Sequence, residues 1–355
     1  MPELNDWAAG FQPACCESCD GRYLQPKSRE LPLCPNCARA ELTPCDPPNG
    51  IAPPELILPF AVSDETLARQ LDDFAGGIWF APTDLTAARL KHRLQPVLWP
   101  MWLVDSQVEA LWQAETGFDY QAVSHRDQFD QKRGGWNSQE ITETRTRWEP
   151  RVGRLNRQYH NIAAPALEEH ASLLRRLGKF DLARSQPYRP QAAMVRLPNR
   201  STTDAWPETA PAFQTSAAEE CRQASQAQHI RDFRWTTRFQ NQNWTLLLLP
   251  LYATYYVDDN RQPQPLLIHG QTGRISGPRR ASMARARRAA FAVAATAAVI
   301  FGLSLLLGLA SLAAPPLLLV AGLGLALAVL VGLLAVAPLV GVWLFNRNAA
   351  GPMKE

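Results

Sequence analysis

The stretch AAFAVAATAAVIFGLSLLLGLASLAAPPLLLVAGLGLALAVLVGLLAVAPLVGVWLF, residues 289–345, holds no Asp, Glu, Lys, Arg or His in 57 positions. Pro315-Pro316 divides it into runs of 26 and 29 residues. A helix rises about 1.5 Å per residue and a bilayer core is about 30 Å thick, so either run can span with some tilt. In lipid the backbone must satisfy its own hydrogen bonds, which makes two helices the expected form. A buried hairpin of a soluble protein does not need apolar runs this long.

The flanks set the expected orientation. Arg279, Arg280, Arg285, Arg287 and Arg288 precede the first run, Arg347 and Lys354 follow the second, and the connection Ser311–Pro316 carries no charge. Basic flanks stay inside, so we expect a two-span protein of the inner (cytoplasmic) membrane with both termini cytoplasmic. Phe291, Trp343 and Phe345 then fall at the interface, where aromatic rings prefer to sit. Topology alone accounts for the arginines; anionic-lipid binding would be an addition to it. Ala294, Ala298 and Gly302 recur every four residues on the first span, as do Gly324, Ala328 and Gly332 on the second. Facing each other, such small-residue ridges close a hairpin; facing outward, they make a homo-oligomer interface.

Over residues 1–278 the chain has 29 basic and 32 acidic residues, which is no electrostatic surface for nucleic acid. Met1–Asp6 lacks the basic and apolar run of a signal peptide, so insertion is expected to be directed by the C-terminal spans.

The strongest local motif is Cys16-Glu17-Ser18-Cys19 followed by Cys34-Pro35-Asn36-Cys37. Each C-x2-C turn points two thiolates to one side, and two such turns complete a tetrahedral four-sulfur site of the kind Zn²⁺ prefers. Cys16, Cys19, Cys34 and Cys37 are therefore the expected zinc ligands, in a structural role because four ligands leave no open position. Two disulfides are the alternative, but a cytoplasmic domain is the wrong redox compartment for them. Cys15 and Cys45 are left unassigned. Charges balance between Cys15 and Cys45 and Tyr23 is the only aromatic there, which argues for a folding staple or protein-docking knob.

Six prolines in 42–59 read as a semi-rigid linker spacing the ribbon from the main domain. Ser63 then caps a helix carrying Leu67, Leu71 and Phe74 and stopped by Gly76-Gly77, and a second helix is expected over 84–94. Val97–Val104 and Val108–Gln113 read as two strands before a turn at Glu115-Thr116-Gly117. Leu246–Val257 and Pro265–His269 repeat that order before a turn at Gln271-Thr272-Gly273, which suggests a diverged β-hairpin repeat. Pro100 and Pro250 are expected at a bulge or edge. Ile141–Trp148 and Phe233–Gln240 alternate as half-exposed strands, with Arg145 and Arg147 balanced by Glu143 and Glu149. Helices are expected over 166–177 and from the capping box Ser216-x-x-Glu219 to about His229, with 185–213 a loop. The expected class is α+β: an antiparallel sheet with a few helices on one face. The expected divisions are a zinc ribbon (1–45), linker (46–59), α+β cytoplasmic domain (60–277), basic juxtamembrane segment (278–288), transmembrane hairpin (289–345) and cytoplasmic tail (346–355).

No P-loop, H-E-x-x-H, G-x-S-x-G or G-x-G-x-x-G occurs. The six histidines are scattered singly; Glu168-Glu169-His170 reads as a solvated helix face, Cys221 as core, and Asp258-Asp259-Asn260 as a turn.

The order of parts resembles a bacterial family of zinc-ribbon membrane proteins, often labelled TFIIB-type zinc-ribbon or primosomal-protein-N′-like. The resemblance rests on the four-cysteine ribbon, Trp79-Phe80-Ala81-Pro82, the stretch Leu249–Gly277 and the two C-terminal spans. It implies zinc ligation by Cys16, Cys19, Cys34 and Cys37 and no catalytic role for any residue; the missing P-loop contradicts the helicase label. Ala38 departs from the glycine that ribbons commonly place after the last cysteine, and 185–213 matches poorly. The expected function is a non-enzymatic, membrane-anchored adaptor that docks a protein partner. The alternative is a membrane-tethered nucleic-acid-binding factor linked to replication or transcription.

Overall fold

The computed structural model describes residues 6–46, 53–130, 134–312 and 315–350. The start of the chain, 47–52 of the expected linker, Ala313-Ala314 of the inter-span connection and the tail from 351 lie outside the described residues. Two compact units form: Met1–Pro100, Ser172–Leu197 and Leu248–Glu355 make the first, Met101–Ala171 and Pro198–Leu247 the second.

In chain order the elements begin with β1 (Phe11–Cys15), β2 (Arg22–Pro26), β3 (Thr43–Pro44) and β4 (Leu56–Ile57). Helices α1 (Asp64–Gly76) and α2 (Ala87–His92) come next, then strands β5 (Gln95–Asp130) and β6 (Gly135–Ala164). After α3 (His170–Leu177) come β7 (Gln186–Pro187), β8 (Met194–Arg196), α4 (Thr202–Ala224), β9 (His229–Val257), β10 (Pro263–His269) and β11 (Ile275–Ser276). The chain closes with α5 (Met283–Ala310), α6 (Leu317–Leu334) and α7 (Ala337–Ala350). The sheet order is β11-β10-β9-β5-β8-β2-β1-β3, with β4 pairing β7 and β9, and β6 pairing β5. The chain is thus mixed α+β with one large sheet.

In the first unit, Ser63 Oγ accepts the Thr66 amide and starts α1, with Asp64 and Glu65 favourably placed at the positive helix end. Its Leu67, Leu71 and Phe74 pack with Leu90, Tyr256, Leu266 and Ile268. Thr86 caps α2, which is shorter at both ends than the expected 84–94 helix; Asp84, outside the cap, pairs with Arg89 and Arg93 at 2.6 and 2.5 Å. A second core joins Phe11 and Leu24 to Ile57, Leu98, Val195 and Leu248. The cysteine-bearing segment therefore shares sheet and core with the rest of its unit. Leu56–Ile57, expected in the linker, is a strand, and the Leu58 amide donates to Leu248 O.

In the second unit, β5 and β6 pair antiparallel from Trp102↔Ala164 outward, with an irregularity between Val104 and Ser106. The turn expected at Glu115–Gly117 does not exist: β5 runs through it. Gly117 marks a close approach, since a Cβ there would meet Thr146 Cγ2 at 2.7 Å and Trp148 at 3.1 Å. The hairpin of β9 and β10 forms as expected, so the two copies of the supposed repeat differ. Pro100 lies in β5 between the residues paired to β8 (Val97, Leu98) and those paired to β6 (from Trp102), outside both of those registers.

The loop expected over 185–213 is also corrected. Ser201 and Asp204 form the capping box that begins α4, fifteen residues before Ser216. Pro207 and Pro211 lie inside the helix, where each would ordinarily cost about 3 kcal/mol. The stripe Ala205, Thr209, Phe213, Ala217 and Cys221 is buried along one face, and Phe213 packs with Val104, Val108 and Tyr159. Burial of that face outweighs the proline penalty.

Helices α5 and α6–α7 are long and apolar enough to cross a membrane. They expose large apolar side chains, among them Leu306, Leu319, Leu323 and Leu330. The expected facing ridges are half right. Gly324 lies against Ser304 and Gly332 against Ala297, so the second ridge faces α5. On α5 the buried positions include Ala290, Ala297 and Ser304, while Gly302 of the expected ridge has open space beside it. The buried positions Ala290, Ala297 and Ser304 recur every seven residues, so α5 meets the small-residue ridge of α6 along a different stripe from the expected one.

Candidate metal centre

The four sulfurs of Cys16, Cys19, Cys34 and Cys37 lie within 4.8 Å of one another. Cys16 Sγ is 3.6 Å from Cys37 Sγ, and Cys19 Sγ is 3.6 Å from Cys34 Sγ. Tetrahedral bonds of about 2.3 Å would space sulfurs by about 3.8 Å, so this donor set fits a metal ion.

Local backbone geometry explains the convergence. Each sulfur accepts a hydrogen bond from the amide two residues on: Ser18 to Cys16, Gly21 to Cys19, Asn36 to Cys34 and Arg39 to Cys37. The residue after each pair turns into the left-handed region, Asp20 at φ 52° and Ala38 at φ 53°. The two halves are thus built alike, and Ala38 adopts the conformation for which glycine is the usual choice. The amide dipoles favour thiolates over thiols. The hydrogen bond with Cys34 lowers Cys19 to about 4, and the same bond together with burial pushes Cys34 up. Burial raises Cys16. A bound metal would draw the protons off all four.

Two residues that local sequence did not single out complete the surroundings. Tyr23 and Arg196 are register partners on β2 and β8. Tyr23 Oη lies 3.4 Å from Cys34 Sγ and accepts a 2.7 Å hydrogen bond from Arg196 Nη1. Arg196 is only 3 % exposed, and its guanidinium lies 5.0 Å from the centre of the Trp99 ring. Burial raises the Tyr23 phenol well above its ordinary range, so it remains a donor to sulfur, while Arg196 opposes that rise. Four thiolates around a divalent ion carry two net negative charges, and a buried cation one hydroxyl away offsets part of them. Gly21 makes room: a Cβ there would meet the Tyr23 ring at 3.0 Å and Arg196 Nη1 at 3.1 Å. A 173-residue separation hid this contact from any spacing argument.

Cys15 and Cys45, left unassigned by the sequence, are joined in a disulfide beside the cluster and do not enter it. The strand pairing Cys15↔Thr43 brings them together. The four cluster cysteines are free thiols.

Elsewhere, Cys221 is buried in α4 as expected. His170 is buried rather than solvated, and burial, with Arg200 nearby, lowers it to about 4. Asp258 shapes a turn by accepting the Asn260 and Gln262 amides, and Asp259 Oδ2 accepts Ser282 Oγ–H and the Ala284 amide at the start of α5. Arg145 pairs with Glu143 and Arg147 with Glu149 on exposed strand positions, as read from the alternation.

Comparison with protein-family models, with curated proteins and with solved structures finds no match. Fold and site define a mixed α+β chain with a four-cysteine cluster able to hold a metal ion, followed by two helices long enough to cross a membrane.

Proposed function

We propose that this chain is a membrane-anchored zinc-ribbon protein of the kind it resembles, acting as a non-enzymatic adaptor at the cytoplasmic face of the membrane. The observation that carries the reading is the closure of the cysteine site. Four sulfurs, each hydrogen-bonded by its own turn, supply the whole coordination of a tetrahedral ion and leave no position for water or substrate. Sulfur-only tetrahedral ligation suits Zn²⁺, and its work is then to hold β1, β2 and the 34–37 turn together. The juxtamembrane arginines support cytoplasmic ends. In that compartment the Cys15–Cys45 pair would stand reduced in the cell and close on exposure to oxidant.

A docking face is available on the second unit. The side of β5, β6 and β9 away from α4 exposes Leu111 (58 %) and Val152 (79 %). Arg154, Arg234 and Arg238 line two cavities of about 540 and 510 Å³ around them. An acidic partner segment with apolar side chains would match this surface. A photo-crosslinker placed at Val152 in native membranes is expected to give one discrete heteromeric adduct that Arg234→Glu with Arg238→Glu abolishes. Absence of any adduct from Val152, with the protein correctly inserted, would overturn the adaptor reading.

A further inference from the structure

The segment between α1 and α2 holds its indole in the open: Trp79 is 85 % exposed. A tryptophan buries 150–250 Å² when it can, so something must hold this one out. Phe80 does, with φ at 55°, a region aromatic residues avoid. The strained turn is clamped by the start of α5. The Ser282 amide donates to Phe80 O at 2.7 Å, and Arg285 Nη1 donates to Ala81 O at 2.9 Å. The segment that displays Trp79 is thereby fastened to the first apolar helix.

The opposite wall comes from a break in the second apolar stretch. α6 ends at Leu334, Ala335 and Val336 turn, and α7 resumes with Pro338 near its start. Between this break and the Trp79 segment lies a crevice of about 610 Å³ lined by Gly77, Trp79, Phe80, Leu334, Pro338 and Phe345 among others, none of them charged. Leu333 (69 %) and Val336, next in sequence to the lining residues Leu334 and Ala337, are exposed. A basic group stands at the same end. Asn346 exchanges two hydrogen bonds with the Ala281 backbone, which ties the end of α7 to the start of α5. Arg347 lies over the Trp343 ring at 5.2 Å, on the side of α7 away from Pro338, Gly341 and Phe345, so the guanidinium beside the crevice is that of Arg285, held at Ala81 O.

We propose that this crevice takes one acyl chain of an anionic phospholipid, with the headgroup phosphate at Arg285 and Trp79 at the level of the interface. The proposal rests on the reading that α5 and α6–α7 span a bilayer. The apolar lining matches a hydrocarbon chain, a guanidinium matches a phosphate, and indole rings favour the interfacial layer. Free phosphate would use Arg285 and leave the apolar lining idle; a lipid uses both.

The test uses the full chain and Trp79→Phe in vesicles of phosphatidylcholine with a minority of phosphatidylglycerol. Brominated acyl chains are carried on one lipid or the other. The difference in fluorescence between the two proteins isolates Trp79 from the other ten tryptophans. Quenching is expected to favour brominated phosphatidylglycerol, with a site enrichment of roughly fivefold, the equivalent of one basic contact of about 1 kcal/mol. Gly341→Leu fills the crevice at a position with open space and is expected to abolish the preference while leaving insertion intact. Added inorganic phosphate is expected not to displace the lipid. Equal quenching by both lipids, or a preference untouched by Gly341→Leu, overturns the lipid site. Failure of the protein to float with the vesicles overturns the spanning reading instead, so the two failures are told apart.

Discussion

Arg196 on β8 donates a 2.7 Å hydrogen bond to Tyr23 on β2, and that hydroxyl stands 3.4 Å from Cys34 Sγ. A buried guanidinium is thereby connected to the cysteine cluster through one phenol. Tyr23→Phe keeps the ring and removes the link. It is expected to weaken metal retention by about 10–100-fold, the usual cost of losing a hydrogen bond behind a ligand. Competition with a chelator reads this out. Unfolding of the metal-free protein should also become easier, by about 1–3 kcal/mol, because Arg196 loses a buried acceptor. Unchanged chelator competition would remove Tyr23 from any role at the metal.

Cys34→Ser is expected to release the metal and to destabilise the first unit as a whole. Leu24 and Phe11 share a core with Leu98, Val195 and Leu248, so the cysteine-bearing segment is not expected to unfold alone. The loss should be on the order of 5 kcal/mol, below the roughly 10–16 kcal/mol that structural zinc supplies to isolated fingers, because the sheet persists. Metal analysis of the purified wild type should give one zinc per chain. Hydrogen exchange that rises only over 15–40 in the variant would contradict the shared core.

Asp84 makes stability depend on acid. Burial would raise its carboxyl, but hydrogen bonds from Arg93, the Val257 amide and Arg89 outweigh that and hold it at about 2. Its folded value lies below the ordinary carboxylate value, so the contribution is fully present above about pH 4 and is lost as pH falls through 2. The contribution is about 2 kcal/mol. Asp84→Asn should therefore lose stability at neutral pH and show a flatter profile between pH 4 and 2. A parallel profile for both proteins would assign the acid sensitivity to other groups.

Gly324 faces Ser304 so closely that a Cβ would lie 2.1 Å from its hydroxyl. Gly324→Leu should part α5 from α6 and lower the thermal stability of the detergent-solubilised protein by about 1–3 kcal/mol. Gly302→Leu, with open space around it, should do neither. Equal effects from both substitutions would mean that the helices meet through another face.

What the sequence determined by itself was whatever depends on short-range pattern. Two C-x2-C pairs dictate two turns, and each turn aims its own sulfurs, so Cys16, Cys19, Cys34 and Cys37 were legible as one site. Fifty-seven positions without a charge could only become apolar helices. Ser63 with its apolar stripe could only start a helix.

Tertiary structure decided what depends on which surfaces meet. Pro207 and Pro211 read as breakers until a buried face outweighed them, and Thr116-Gly117 read as a turn until Thr146 and Trp148 took up the space that a Cβ would fill. Which stripe of α5 faces α6 was decided by helix packing, since Ala and Gly occur on every side of both helices. Tyr23 and Arg196 meet only because β2 pairs with β8, a register chosen by the shared core. Local pattern fixes backbone conformation through sterics and capping; it carries no information about distant pairings, whose energy arises only when the sheet closes.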